Sequence, residues 1–361
     1  MLMSLMHRQK MGVLSRRALI ALALGSSMLP ASVRAQAVDF AALALDTSAD
    51  RGERILKGAK AEGTLIVYGS APMEDMSPIF TAFEAKHGIK VRYWRAGPQE
   101  LIRRTETEYR AGRYEVDLVQ ANGPTLEAMR RENLFQKVIS KAQDDLFPQA
   151  VPAHREWIGE RLNIVIGAYN TKVVPADTLP PSYEGFRDPR WNGKLAVEAT
   201  DYDWFATVVT AMGEEKGIAT FKEIAATNGL SVRKGHTLLT ALVSAGEVPV
   251  SLNVFSYKVD QLAKEGAPIA PLLIPPAVGR VNGIAALRRP SHPNAALLYY
   301  EFMLTDAQKI LMDRDFTPTN QRIQPLPPGM TLEFVDSAKL LDEGEKWTKL
   351  WKEVTSLRPT N

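Results

Sequence analysis

Short apolar runs alternate with amphipathic segments along most of the chain. TLIVYG (64–69) reads as a β-strand ending in a Gly-Ser-Ala-Pro turn, and MSPIFTAFEAKHG (76–88) has helical spacing, with Ile79, Phe80 and Phe83 on one face and Gly88 as the stop. A strand at 89–94, a helix at 98–112, a strand at 116–120 and a helix from Gly123 follow. The alternation resumes with strands at 163–170, 194–199 and 248–253, separated by helices at 203–213, 219–229 and 236–246. A helix at 256–266 leads to strands at 269–274 and 281–289, and helices are predicted at 294–304, 306–313, 331–341 and 344–357. Strands that alternate with helices of this length form parallel βαβ units, because a parallel crossover needs a helix to cover the sheet. The expected fold is α/β, with two lobes joined by extended segments near 163–170 and 281–289.

In parallel sheets, ligands bind beyond the carboxyl ends of the strands, where the loops gather. That rule picks out Ser70, Arg95 and Asn122 after the first three strands. It also picks out Asp201, Tyr202 and Trp204 after KLAVEA, and Asn253 and Tyr257 around the end of VPVSLN. In ATDYDWF (199–205), Asp201 or Asp203 could meet a cation while Tyr202 and Trp204 wall a cleft. Equally, one Asp could cap the next helix and Trp204 could pack inward. Ser70 and the amides of YGSAP suit an anionic group at a helix N-terminus, or form an ordinary turn. Glu74 and Asp75 beside it would favour a cation. Asn253 and Ser256 are placed either for ligand contact or for capping the next helix.

Composition narrows the classes. There is no cysteine, so neither disulfides nor thiol catalysis enters. The patterns G-x-S-x-G, H-E-x-x-H, G-x-x-x-x-G-K-[ST] and G-x-G-x-x-G do not occur, and the five histidines are scattered. Each histidine, His236 included, reads as a surface or capping residue, and no catalytic residue or cofactor is expected.

The N-terminus changes the charge picture. Ser15-Arg16-Arg17-Ala18-Leu19, a short apolar run and Ala35-Gln36-Ala37 have the layout of an export signal of the twin-arginine kind, cut after Ala37. Residues 1–37 carry five basic and no acidic side chains, so the mature chain holds 39 Lys and Arg against 41 Asp and Glu. The basic balance of the full chain therefore gives no argument for nucleic acid or an anionic membrane. The apolar run, broken by Gly25 and Pro30, is too short to span a bilayer. A periplasmic location is expected. Residues 38–50 and the Pro-rich 324–329 read as linkers.

GTLIVYGSAP, IFTAFEAKHGIKV, ELIRRTETEYRAGRYEVDLV, IGAYNTKVV, FRDPRWNGKLAV, GEVPVSLNVFSYK, EGAPI and HPNAALLYYEFML, in this order and spacing, resemble the periplasmic solute-binding proteins of ABC importers, specifically the ferric-iron-type group. The resemblance runs from about Gly63 to Thr319. It implies a type II periplasmic-binding-protein fold: a signal at 1–37, a first lobe at 38–162, a second at 163–282, and 283–361 returning to the first lobe with the C-terminal helices. It further implies a monomer that closes over a small-molecule or metal-ion solute and delivers it to an ABC permease without doing chemistry. An exported enzyme, or a binding protein serving a membrane sensor, are the alternatives.

Ferric members typically hold the metal with two adjacent tyrosines after the strand matching VPVSLN, often with a His or Tyr after the first strand. Here the matching positions read Phe255-Ser256-Tyr257-Lys258, and Ser70-Ala71-Pro72 follows the first strand. The adjacent pair Tyr299-Tyr300 lies in a predicted helix and reads as packing. A lysine beside a tyrosinate opposes a trivalent cation, so a small organic or oxyanion solute, or a chelated metal, fits better than bare Fe(III).

Overall fold

The computed structural model describes residues 39–325 and 331–359; the expected export signal, and most of the Pro-rich 324–329 stretch, lie outside the described residues. In chain order, α1 (Phe40–Leu45) and α2 (Arg51–Glu62) precede β1 (Thr64–Gly69), α3 (Met73–His87), β2 (Lys90–Arg95), α4 (Pro98–Arg110), β3 (Leu118–Asn122), α5 (Gly123–Arg131) and β4 (Phe135–Gln136). The long β5 (Ile158–Asn170) is followed by β6 (Leu195–Glu198), α6 (Tyr202–Ala211), α7 (Glu214–Asn228), β7 (Ser231–Arg233), α8 (His236–Ala245), β8 (Val250–Phe255), α9 (Ser256–Lys264) and β9 (Ile269–Leu272). A second long strand, β10 (Ala277–Leu287), then leads to α10 (Pro293–Leu304), α11 (Asp306–Asp313), β11 (Thr317–Pro318), β12 (Leu332–Phe334), α12 (Ser337–Asp342) and α13 (Gly344–Ser356).

The strand order β2-β1-β3-β10-β5-β8-β6-β7 explains the two lobes. One end is a parallel set, β2-β1-β3, and the other a parallel set, β8-β6-β7. Between them β10 and β5 run antiparallel to each other and to their outer neighbours β3 and β8. A parallel unit needs helices on both faces, so each end gathers its own core. Phe80, Phe83, Leu118, Phe135 and Tyr299 are buried in the first, and Trp204, Phe205, Phe221, Trp347 and Trp351 in the second. Every residue of β10 is buried, as are nearly all of β5.

Two local features depart from the sequence reading. The expected linker at 38–50 begins as a helix: Asp39 accepts a hydrogen bond from the Ala42 amide, and Phe40 and Leu43 are buried. The expected helix at 331–341 starts as strand β12, paired parallel with β10, and only Ser337 onward is helical, capped by Asp336. The final helix α13 packs on α6 and α7, so Trp347 and Trp351 complete the second core. Among the described residues no helix is long and apolar enough to cross a membrane.

One glycine sets the loop after β1. A Cβ on Gly69 would lie 2.5 Å from the Tyr93 hydroxyl, and that hydroxyl donates to the Ala71 carbonyl at 2.9 Å. The YGSAP turn is thus pinned against β2.

Candidate functional site

Parallel strands bring their carboxyl ends to one edge, so β6, β7 and β8 deliver Glu198 to Tyr202, His236, and Phe255 to Tyr257 together. They form a buried polar network. Asp201 accepts from Asn253 Nδ2 at 3.0 Å and from Arg280 at 3.0 Å, and its Oδ1 lies 3.1 Å from His236 Nε2. The same guanidinium donates to Asp203 at 2.6 Å. Asn253 is fully buried and accepts from the Glu198 amide at 2.8 Å. Glu198 in turn accepts from the Thr200 amide at 2.6 Å and the Gly235 amide at 2.8 Å, tying three loops into one platform.

Burial alone would raise the Asp201 carboxyl, but the charges and hydrogen bonds of His236 and Arg280 outweigh it and hold it below the usual range. Asp203 goes the other way: burial lifts it, and Arg280 offsets this only partly against the adjacent Asp201 charge. Desolvation works against the Arg280 charge, yet Asp203 and Asp201 hold its proton more tightly than usual. An aromatic stack borders the network. His236 lies on Phe255 with centroids 3.8 Å apart, Phe255 parallels Tyr257 at 5.7 Å, and Tyr257 meets Phe316 at 4.4 Å. Burial pushes the Tyr257 phenol up, with Asp75 as the largest charge contribution. The second lobe's edge therefore comes against the start of α3 in the first.

Arg280 comes from the hinge strands, and it has company. In register, Arg280 stands opposite Asn163 and Asn282 opposite Arg161. Paired residues share a face and the side-chain period is two, so these four polar residues form one row on one face. Leu162 and Ile164 alternate with them into the first core. All four are buried. Arg161 pairs with Glu160, whose carboxyl is raised by burial and which accepts from Gln120 at 2.6 Å. Within the described residues, Arg280 Nε, Asn163 Oδ1 and His236 Nδ1 are buried without a hydrogen-bond partner.

The sequence-derived candidates divide accordingly. Asp201, Asn253 and Tyr257 join the network and its stack. Tyr202 is half-buried beside Asp203. Ser70 is half-buried, its carbonyl 3.4 Å from Nε of the exposed Arg95. Asn122 caps α5, accepting from the Thr125 amide at 3.0 Å. Trp204 does not wall the cleft. Its exposure is zero, and it packs among Tyr183, Phe221 and Trp351, because the first turn of α6 turns that side inward. Neither Asp201 nor Asn253 caps a helix through its side chain. His236, expected on the surface or as a cap, is instead held between Asp201 and Phe255. Tyr299 and Tyr300 are core residues of α10. Glu198, Arg280, Arg161, Asn163 and Asn282 were not singled out from the sequence. The visible signal for the last four was Arg-Leu-Asn-Ile and Arg-Val-Asn-Gly, polar residues at every second position of otherwise apolar strands.

Two lobes, a hinge of crossing strands and a polar row between them are an architecture for holding something. The sequence model for "Bacterial extracellular solute-binding protein" matches residues 70–310. The chain belongs to that family. This solute-binding protein is similar to the "Fe(3+)-binding periplasmic protein" of Serratia marcescens, 26% identical over 214 residues, a match spanning 58% of this chain and 62% of the relative. In structure it is similar to iron-bound HitA from Pseudomonas aeruginosa, with TM-score 0.69 and 24% identity over 81% of this chain and 99% of that one. It is also similar to AfuA from Actinobacillus pleuropneumoniae, solved with exogenous fructose-6-phosphate bound, with TM-score 0.69 and 19% identity over 82% of this chain and 99% of that one. The bilobal solute-binding fold expected from the sequence is therefore the one the chain adopts.

Proposed function

We propose that this protein is the extracytoplasmic binding component of an ABC import system, taking a small polar organic solute that bears hydroxyl and oxyanion groups, free or as a metal chelate. It would hold the solute between the lobes as a monomer, convert nothing, and hand it to a membrane permease. The observation that carries this reading is the buried row Arg161, Asn163, Arg280 and Asn282, with Arg280 Nε and Asn163 Oδ1 lacking partners. A buried polar atom left unpaired costs about 1–3 kcal/mol, and a solute offering both an acceptor and a donor recovers that cost only when the lobes are shut. Differential affinity of this kind is what drives closure.

Bare Fe(III) is the second reading, favoured by the names of the relatives and by one cluster. Glu198, Asp201 and His236 each offer a ligand atom within 4.8 Å of the others. Against it, the oxygens of Glu198 and Asp201 already accept from amides, Asn253 and Arg280. The Arg280 charge adjoins the cluster, and Lys258 lies 5.3 Å over the ring of Tyr257. A hard trivalent ion wants anionic oxygens free of such competition.

Thermal-shift titration of the mature protein with a phosphorylated sugar, citrate and ferric nitrilotriacetate tests the choice. Stabilisation by an organic oxyanion is expected, with Asn163→Ala weakening it about tenfold while the empty protein melts as before. Stabilisation by the ferric complex alone, insensitive to Asn163→Ala, would refute the organic reading.

The N-terminal signal supports twin-arginine export to the periplasm. Changing Arg16 and Arg17 together to Lys is expected to leave precursor in the cytoplasm, read by fractionation and immunoblot. Normal periplasmic accumulation would rule that route out.

A further inference from the structure

Helix α9 has two working faces. Val259 and Leu262 pack into the second lobe beside Leu239 and Val254. On the opposite side, Tyr257, Gln261 and Lys264 lie one helical turn apart, within a narrow stripe. All three reach the turn linking α11 to β11, and each takes a different residue of it. The Gln261 amide donates to the Arg314 carbonyl at 3.1 Å, Lys264 pairs with Asp315, and Tyr257 meets Phe316 at 4.4 Å.

That turn belongs to the first lobe. Its Arg314 guanidinium donates to the Glu74 carbonyl at 3.1 Å and stands 3.6 Å from Asp75, fastening it to the start of α3. Its shape is fixed by Phe316 N donating to Leu311 O at 3.0 Å, with Asp315 in the left-handed region at φ 65°. Asp tolerates that region better than most residues, and there its carboxylate meets Lys264. Asp260, exposed on the same side of α9, also feels the Asp315 charge, so Lys264 balances two acids.

We propose that α9 is an interlobe clamp: its Tyr257–Gln261–Lys264 stripe grips the 314–316 turn and sets how much of the protein is shut before any solute arrives. No one of the three contacts is strong. An exposed ion pair, a single hydrogen bond and an aromatic pair each shift an equilibrium only a few-fold. A weak clamp of this kind biases the lobes without locking them. Because apparent affinity scales with the fraction of competent protein, the clamp tunes affinity from outside the polar row, whichever solute that row takes.

The chain has no cysteine, so distance labels can be placed cleanly. Spin labels at Gln99→Cys and Lys234→Cys, exposed positions beyond the carboxyl ends of β2 and β7, report lobe separation by pulsed dipolar spectroscopy on the mature, solute-free protein. Lys264→Glu sets a third acid against Asp315 and Asp260. It is expected to raise the open-to-closed ratio about three- to tenfold, and adding Asp315→Asn is expected to bring it part of the way back. A distance distribution unchanged by Lys264→Glu would overturn the proposal. So would a shift that Asp315→Asn leaves in place, since the change would then not run through this pair. The readout needs no solute, so its failure would leave the assignment of the polar row untouched.

Discussion

Replacing Arg280 by methionine is expected to cost about 3–5 kcal/mol in unfolding free energy at neutral pH, because breaking a buried ion pair leaves its partners charged and unpaired. Here two carboxylates share the one guanidinium, Asp201 at 3.0 Å and Asp203 at 2.6 Å. The pH dependence gives the effect a signature. In the parent, Asp201 is held below its ordinary value, so its stabilising contribution is present above the unfolded pKa and is lost as pH falls through the folded one. In the Arg280→Met variant His236 still faces Asp201, but Asp203 is left to burial and the adjacent Asp201 charge, which lift it further above its unfolded value. Protonation of Asp203 on acidification then relieves the destabilisation. The gap between parent and variant, measured by urea unfolding, should be largest at pH 7 and shrink toward pH 4. A gap constant across that range would mean that the substituted side chain merely packs badly. Asp201→Asn with Arg280 intact should cost less, since one carboxylate still meets the guanidinium.

Trp204→Ala should destabilise by about 3–5 kcal/mol, the range for emptying a buried aromatic site. Trp204 is fully buried among Tyr183, Phe221 and Trp351, and Trp351 also donates to the Ala199 carbonyl at 3.1 Å. The loss therefore propagates from α6 to α13. Tyr202→Ala, two residues away but half-buried, should cost under about 1 kcal/mol and instead weaken solute retention. Chemical unfolding of the two variants side by side separates the roles. Equal stability losses would place both residues in the core, and weakened retention with intact stability for Trp204→Ala would return it to the cleft wall.

Much of the fold was readable because the hydrophobic period carries it. The parallel units from β1 to α5 and from β6 to α9 show the strand and helix periods directly, and loops after their strands had to gather at one edge. The ends of the chain were less readable. FAALAL after Asp39 is too short for its period to stand out, and MTLEFVDSAKLL mixes a three-residue strand with a capped helix, resolved only by pairing with β10. The site was half readable. Asp201, Asn253 and Tyr257 follow from strand ends, but Arg280 is 77 residues beyond Asp203 in sequence, and only the crossing of β5 and β10 brings them together. Trp204 faces the core for a local reason: helical positions two apart point about 200° apart, so Tyr202 and Trp204 could not both face the cleft.

Native mass spectrometry of the protein, purified from its native host without refolding, tests the central claim most directly. A mass excess matching one small organic solute, alone or with a metal, and lost in Asn163→Ala, is the expected result. A mass excess of a single bare iron, retained in Asn163→Ala, would contradict it and move the binding site to Glu198, Asp201 and His236.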